Sequence, residues 1–485
     1  MSSFLPLLPI LGGVIAMFAL AMLVPLAFAF VGNDAALYAY DGAILITAGC
    51  GLALWWFTRR FKRELQPRDG FLLVTLIWAV LPAFAMLPLL FALPGLSVTD
   101  AYFEAMSGLT ATGGTALSGL DALPLSINVW RCWLQFLGGL GVVVVAVAVL
   151  PLLGVGASQL YKAETPGPMK DSKLTPRIAE TARGLWVVYV GLSLLCMLAY
   201  RAAGMGWADA FMHMCSTMGL GGFSPYDASI GHFQSVAVEG VAIVFMLVAG
   251  VNFARYFVVW RTRSLMPLVR CVETRSYLLV LAASTLLIAL YLVAHDEYGG
   301  LGEALRHTAF HVVSLATTTG YASTDYAQWP LFAPMLMILL GCFAGCAGST
   351  AGGIKMVRML LLVKQARLEL VRIVHPRAVL PITLGGAAVP GPVMASVIAF
   401  MMVYGATLAG LTLVMLFSGL EPITAATAVI ASVNNIGPGL GDVGPAVNYQ
   451  SLSDFQTWVC TFGMLLGRLE LLTVLVLLTP QFWRK

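Results

Sequence analysis

Charge is what this sequence holds least of. Asp, Glu, Lys and Arg make up 10% of its 485 residues, where a soluble domain carries about 25%. Beside a hydrophobic share of 59%, that scarcity excludes an ordinary soluble domain. Metal ligands are also thin. The eight cysteines, Cys50, Cys132, Cys196, Cys215, Cys271, Cys342, Cys346 and Cys460, are scattered. Only Cys342 and Cys346 lie close together, and no histidine stands at zinc spacing from them. They read as small packing residues, not as a metal site or a disulfide framework. A nucleophile beside a base is missing from the apolar segments, so the chain is not expected to be an enzyme.

What is present is apolar length. Stretches near 20 residues recur from end to end, about the length that crosses a bilayer. The first, Phe4 to Phe30, has no basic residue before it and is too long for a signal core, so it reads as a retained helix. The expected fold class is an all-α polytopic membrane protein seated in a lipid bilayer.

The basic residues fall in clusters. Arg59, Arg60, Lys62, Arg63 and Arg68 form one. Lys162, Lys170, Lys173, Arg177 and Arg183 form a second, and Arg255, Arg261, Arg263, Arg270 and Arg275 a third. Lys355, Arg358, Lys364, Arg367, Arg372 and Arg377 follow, and Arg484 and Lys485 end the sequence. Together these hold 23 of the 27 basic residues. The positive-inside rule puts all five segments, and both termini, on the cytoplasmic side. The alternate loops carry Asp34, Asp100, Glu104, Asp121, Asp209, Asp227, Asp296, Glu297, Glu303, Asp325, Glu421, Asp442 and Asp454, which are expected to face outward. An acidic outer surface would concentrate cations at a pore mouth, although acidic residues are also free of the positive-inside constraint.

Four short polar stretches interrupt the apolar background: "SGLTATGG", "CSTMGLGG", "SLATTTGY" and "ASVNNIGPG". Aligned on Gly113, Gly221, Gly320 and Gly437, they are 108, 99 and 117 residues apart. Each follows a half-length helical segment of about 11 residues, too short to span. Long helices flank them, near 71–94, 128–153, 184–203, 235–260, 277–294, 331–371, 391–418 and 455–480, with two more near 4–31 and 40–57. Irregular backbone inside a membrane is tolerated only where it lines a wet path or is buried in protein. One such stretch would suit helix packing through small residues. Four copies, each after a half-helix, point to strands converging on one axis. Rings of carbonyl oxygen there would replace a cation's hydration shell, with glycine supplying the positive φ that turns them inward. The expected plan is four pseudo-fourfold helix–pore-loop–helix repeats around one central pore, after an N-terminal two-helix extension at 1–69. The repeats run 70–155, 156–262, 263–378 and 379–485.

With these stretches in hand the sequence resembles the TrkH/TrkG potassium-uptake proteins of the Trk/Ktr/HKT superfamily. "SGLTATGG", "VWRCWLQFLGGLGVVV", "FSPYDAS", "ATTTGY", "GCAGSTAGGIK", "NNIGPGLGDVGP" and "GRLELLTVL" carry the resemblance. It implies a potassium-conducting subunit of a Trk-type uptake system, with K+ as cargo and no organic cofactor. It implies a potassium filter formed by Thr110, Ala111, Thr112 and Gly113; Gly219, Leu220 and Gly221; Thr317, Thr318, Thr319 and Gly320; and Asn434, Asn435, Ile436 and Gly437. Sodium-preferring relatives can carry serine at the first of the four glycines, and here that residue is Gly113. The resemblance also implies a homodimer with one pore per chain, a bacterial inner-membrane location and no nucleic-acid partner.

Two further features stand out. "AGCAGSTAGGIK" places Gly345, Gly348, Ser349, Thr350, Gly352, Gly353 and Lys355 inside an apolar run. Each glycine costs a helix interior about 1 kcal/mol relative to alanine, so the helix is expected to break there. Packing through Gly341-x-x-x-Gly345 is the alternative use. The resemblance makes this loop a gate under the filter. Arg468 lies in the middle of the last apolar helix, where a lone cation needs a partner or a wet cavity. It reads equally as a ligand of broken-helix carbonyls or as a barrier in the pore, and the resemblance implies both. No loop holds a nucleotide-binding domain, so regulation is expected in trans. The family's partner is a TrkA-like cytosolic RCK regulatory ring. A potassium transporter coupled to protons or sodium is the competing function. It would need titratable groups in the path. The polar stretches contain no acid or histidine; His213 and His311 lie in the half-helices and read as packing or capping residues.

Overall fold

The computed structural model describes residues 4–61, 63, 66–141, 178–377 and 380–484. The expected helix beyond residue 141, with Lys162, Lys170, Lys173 and Arg177 of the second basic cluster, lies outside the described residues, as do Lys62 and Lys485.

The chain opens with α1 (Leu8–Ala21) and α2 (Leu23–Gly32), which together make one apolar span, and α3 (Leu37–Thr58). The α1–α3 crossing is set by absent side chains. A Cβ on Gly12 would lie 2.8 Å from the Gly51 carbonyl oxygen, and one on Gly51 would meet the Ala16 backbone. Without a hydrophobic drive between helices in lipid, close backbone approach supplies the attraction.

Four units follow. The first has α4 (Pro67–Ala85) and α5 (Leu87–Ala92), a short α6 (Val98–Leu109), an extended return and α7 (Leu125–Phe136) ending in a π-helical turn, Leu137–Gly141. The second has α8 (Ile178–Ala202), short α9 (Trp207–Gly219), α10 (Val236–Ala249) and α11 (Phe253–Thr262). A four-residue α12 (Met266–Val269) leads into the third: α13 (Val272–Ala294), short α14 (Leu301–Ala316), α15 (Phe332–Gly341) and α16 (Met356–Val374). A two-residue hairpin, β1 (Thr383–Leu384) with β2 (Ala387–Ala388), precedes the fourth: α17 (Gly391–Phe417), short α18 (Pro422–Asn434), α19 (Asp454–Arg468) and α20 (Leu472–Leu475). Among the described residues six helices are long and apolar enough to cross a membrane, or eight if two bent pairs each count as one span. This is the all-α polytopic architecture expected. Two of the four short helices begin on side-chain caps, Ser97 for α6 and Glu421 for α18, which accept from Asp100 N and Thr424 N, while α9 and α14 begin after Gly206 and Gly300. Their last two turns are almost wholly buried, because they point into the middle of the bundle.

The breaks differ from expectation. The loop between α15 and α16 interrupts the third unit as foreseen. The helices expected as continuous over 235–260 and 455–480 are not continuous: α10 and α11 bend by 88°, and α19 and the helix after it by 104°. At the first break Asn252 restarts the helix, its side chain accepting from Ala254 N at 2.8 Å. At the second, Glu470 and Leu471 take φ of 55° and 46°, and Arg358 of α16 holds Glu470 at 2.7 Å.

Candidate functional site

The four short helices end alike. Ala111, Leu220, Thr318 and Asn435 adopt left-handed φ of 53°, 53°, 61° and 54°. In each, the next residue's N–H reaches back to a helix carbonyl: Thr112 to Ser107 at 2.8 Å, Gly221 to Ser216 at 2.9 Å, Thr319 to Ser314 at 2.8 Å and Ile436 to Ala431 at 2.8 Å. This is the six-to-one bond of a Schellman cap. It offsets a left-handed conformation that costs Ala, Leu or Thr about 1–2 kcal/mol. One residue later stands a glycine with larger φ: Gly113 at 87°, Gly222 at 75°, Gly320 at 84° and Gly437 at 97°.

This geometry corrects the alignment made from sequence. Gly222, not Gly221, corresponds to Gly113, Gly320 and Gly437. Gly221 takes the place of Thr112, Thr319 and Ile436, within the same stretch.

The four glycines close a ring. A Cβ on Gly113 would strike the carbonyl oxygen of Gly221, and one on Gly222 that of Thr319. One on Gly320 would strike that of Ile436, and one on Gly437 would lie 2.8 Å from that of Thr112. Each glycine therefore presses on the next unit's carbonyl, and the fourth returns to the first. The carbonyls of Thr112, Thr319 and Ile436 take no hydrogen bond from the described residues, although these residues are fully buried. The ring is not uniform. Gly221 O accepts from Gln135 Nε2 and Gly437 O from Tyr449 Oη, both at 2.7 Å. Beyond the glycines a cavity of about 80 Å³ is lined by Gly113, Gly222, Gly320, Pro438 and Tyr449.

The threonines and asparagines brace the strands. Thr110 and Thr112 hydroxyls lie 2.7 Å apart, and those of Thr317 and Thr319 2.8 Å. Asn435 Nδ2 donates to Thr112 Oγ1 at 2.8 Å, joining units four and one. Tyr404 Oη meets Asn434 Oδ1 at 3.0 Å. His213 and His311 bond locally, to the Asp209 and His307 carbonyls at 2.8 Å, and to the returning strands at Ser224 and Ser323.

Arg131 and Gln135 escaped the sequence reading, and Glu104, expected among the outward-facing acids, is instead buried within α6, where Arg131 holds its charge. Arg131 Nε donates to Glu104 Oε1 at 2.7 Å, and Arg131 Nη1 to Ser224 O at 3.0 Å. Glu104 Oε2 accepts from Ala116 N at 3.0 Å. Gln135 holds the second strand at both ends, donating to Gly221 O and accepting from Phe223 N at 3.0 Å. Their signal was available: polar side chains within apolar helices demand partners.

The interrupting loop of the third unit lies directly against this ring. Gly352 N donates to Thr318 Oγ1 at 2.7 Å, and Thr350 Oγ1 donates to Met218 O at 3.1 Å. A Cβ on Gly352 would strike the Asn434 carbonyl, and one on Gly353 would lie 2.6 Å from Cys342 O. Gly348 lies against Asn252 and its carbonyl accepts from Phe253 N at 3.0 Å, while a Cβ on Gly345 would lie 2.6 Å from Ala351 Cβ. Ser349 Oγ donates to Cys346 O at 2.7 Å. Lys355, with φ of 74°, donates its buried ammonium to the Ala351 and Gly352 carbonyls. Arg468 joins three units. It donates to Gly138 O, to Gly139 O at 2.6 Å and to Thr350 O at 3.4 Å, with its guanidinium 5.5 Å from the Trp78 ring. The loop, the π turn of α7 and the breaks at 250–252 and 469–471 thus form one level of non-helical backbone beside the ring.

Residues 40–485 match the TrkH family, described as a cation transport protein. The Trk system potassium uptake protein TrkH of Vibrio parahaemolyticus serotype O3:K6 is 43% identical over 99% of both chains. The Trk system potassium uptake protein TrkG of Escherichia coli K12 is 38% identical, covering 98% of this chain and 97% of that one. The crystal structure of the potassium transporter TrkH from Vibrio parahaemolyticus superposes with a TM-score of 0.90 at 40% identity, over 99% of this chain and 100% of that chain.

Proposed function

Because the chain belongs to the TrkH family of cation transport proteins, we propose that it is the potassium-conducting subunit of a Trk-type uptake system, with the four capped strands as its selectivity filter. The observation that carries this reading is the closed ring of glycine against carbonyl through all four units. A dehydrated potassium ion needs oxygen ligands in place of water. The carbonyls of Thr112, Thr319 and Ile436, buried and free of hydrogen bonds from the described residues, supply neutral oxygens of that kind. Gly222 joins Gly113, Gly320 and Gly437 at the narrowest level.

The loop from Gly345 to Lys355 acts as the gate, held closed by Arg468. The guanidinium satisfies carbonyls of the first unit and of the loop, and its charge repels cations that approach the ring. A TrkA-like cytosolic RCK ring controls this gate from the basic face, and the subunit works as a homodimer in a bacterial inner membrane with both termini cytoplasmic. Flux in proteoliposomes under an imposed voltage, with and without proton or sodium gradients, tests the function. Potassium flux that follows its own electrochemical gradient alone supports a pore. Flux that requires a second ion's gradient would replace the pore with a coupled carrier.

A further inference from the structure

We propose that the cavity between α11, α12 and the β1–β2 hairpin binds the phosphate headgroup of an anionic phospholipid, an inference that rests on the cytoplasmic orientation proposed above. The cavity holds about 660 Å³ and is lined by Arg255, Thr262, Ser264, Arg270, Cys271 and Glu273, among others. Both guanidiniums are exposed, and neither makes a hydrogen bond or an ion pair to another described residue. Two guanidiniums that line one cavity without a hydrogen-bonded partner among the described residues suit phosphate oxygens, which they bind as planar forks, although Arg255 also feels the charge of Glu273. Glu273 is the carboxylate among the lining residues. Its Oε1 is already engaged by Ala347 N at 2.8 Å and Val357 N at 3.2 Å.

A second observation selects a lipid over a free anion. The 88° bend turns α11 across the direction of α10, and Arg255, Arg261, Arg263 and Arg270, on and after α11, belong to a basic cluster that the positive-inside rule keeps at the cytoplasmic face. Trp260, Leu265, Met266 and Val269, on or beside α11 and α12, are exposed apolar side chains next to these cations. Cations over an apolar rim match headgroup over acyl chain, and tryptophan is enriched at that depth. A soluble anion would use the guanidiniums and leave the rim in water.

The position has a consequence for the gate. Ala347 lies within the interrupting loop and Val357 just after it, and Glu273 anchors both. A headgroup on Arg255 and Arg270 therefore lies one side chain from both anchors of that loop, and anionic lipid would bias its opening.

The test uses the thiol in the cavity wall. Cys50 is exposed, Cys271 is half-buried and the other six cysteines are buried, so the full chain with Cys50→Ser leaves Cys271 as the accessible thiol. Its labelling rate by neutral N-ethylmaleimide is measured in vesicles of phosphatidylcholine alone and of phosphatidylcholine with phosphatidylglycerol. The proposal expects labelling to slow several-fold with phosphatidylglycerol. Arg255→Gln and Arg270→Gln should each remove most of that protection, because losing one charge-assisted contact weakens binding about tenfold. Arg261→Gln with Arg263→Gln, exposed cations of the same segment that do not line the cavity, should keep the protection. Equal labelling in both membranes, or protection that survives loss of both Arg255 and Arg270, overturns the site. Equal protection by soluble glycerol phosphate in phosphatidylcholine overturns the lipid assignment. The potassium-to-sodium permeability ratio of the same vesicles is read in parallel. Its retention alongside lipid-indifferent labelling would leave the pore reading intact, and its loss alongside lipid protection would leave the lipid site.

Discussion

Arg131 and Glu104 form an ion pair of 2.7 Å behind the first strand of the ring, with side chains 1% and 0% exposed. The pair reaches two units at once, through Ala116 N on the first returning strand and Ser224 O on the second. Breaking a buried pair from one side leaves an uncompensated charge and costs about 3–5 kcal/mol. Glu104→Gln should therefore lower the thermal midpoint of the purified protein and reduce its potassium-to-sodium permeability ratio. Thermal unfolding in detergent and reversal potentials check the two effects. Arg131→Lys, which keeps the charge but loses the fork, should retain more stability than Arg131→Met. Wild-type selectivity in folded Glu104→Gln protein would detach the pair from the filter.

Gly222 and Gly221 separate the two possible registers of the second strand. Gly222 has φ of 75°, and a Cβ there would strike a backbone carbonyl. A Cβ on Gly221 would meet the side chain of Gln135, which can move. Gly222→Ala should abolish potassium preference or prevent folding, while Gly221→Ala should fold and keep a measurable preference. Reversal potentials of the two variants decide, and the opposite ranking would restore the register read from sequence.

The loop at 345–355 tests the gate. Replacing Gly345, Gly348 and Gly353 by alanine, with Gly352 kept because a Cβ there would strike the Asn434 carbonyl of the filter, stiffens it and should lower open probability in single-channel recordings. Deleting Gly345 to Gly353 removes the constriction and should leave a leaking pore. Both variants should keep the wild-type ion preference, because the ring glycines are untouched. Wild-type gating in both would reduce the loop to packing.

Arg468 bonds three carbonyls that no other side chain reaches among the described residues. At a separation near 8 Å and an effective dielectric of about 20, its repulsion of a cation is roughly 2 kcal/mol, about thirtyfold in a rate before screening. Arg468→Ala should raise flux through a pore that closes poorly. Arg468→Lys should keep the barrier and loosen the contact to Thr350. Single-channel open times of the two variants measure this, and wild-type open times in Arg468→Ala would leave the residue neither barrier nor latch.

The plan of the molecule was legible because polar, glycine-bearing stretches are expensive in lipid and recur here at near-regular spacing. What was not legible has physical reasons. "GLGG" offers two adjacent glycines, and only the left-handed turn at Leu220 selects Gly222 as the ring residue. The bend at 250–252 had a signal in Gly250 and Asn252, a breaker followed by a helix cap. The bend at 469–471 has no glycine or proline. It is held by the Arg358–Glu470 pair, formed between residues 112 positions apart, which local propensity does not encode. Arg131 and Gln135 were visible as polar residues in an apolar helix and Glu104 as an acid expected to face outward, but their partners follow from the folded units.

The most direct test of the account is the reversal potential of Gly113→Ser protein with potassium on one side and sodium on the other. Gly113 has φ of 87°, and any side chain there meets the Gly221 carbonyl, so serine must displace the ring at its narrowest level. The account predicts a permeability ratio shifted toward sodium, with the variant still folded as judged by its thermal midpoint. A folded Gly113→Ser protein with the wild-type ratio would contradict the ring of four glycines as the potassium filter.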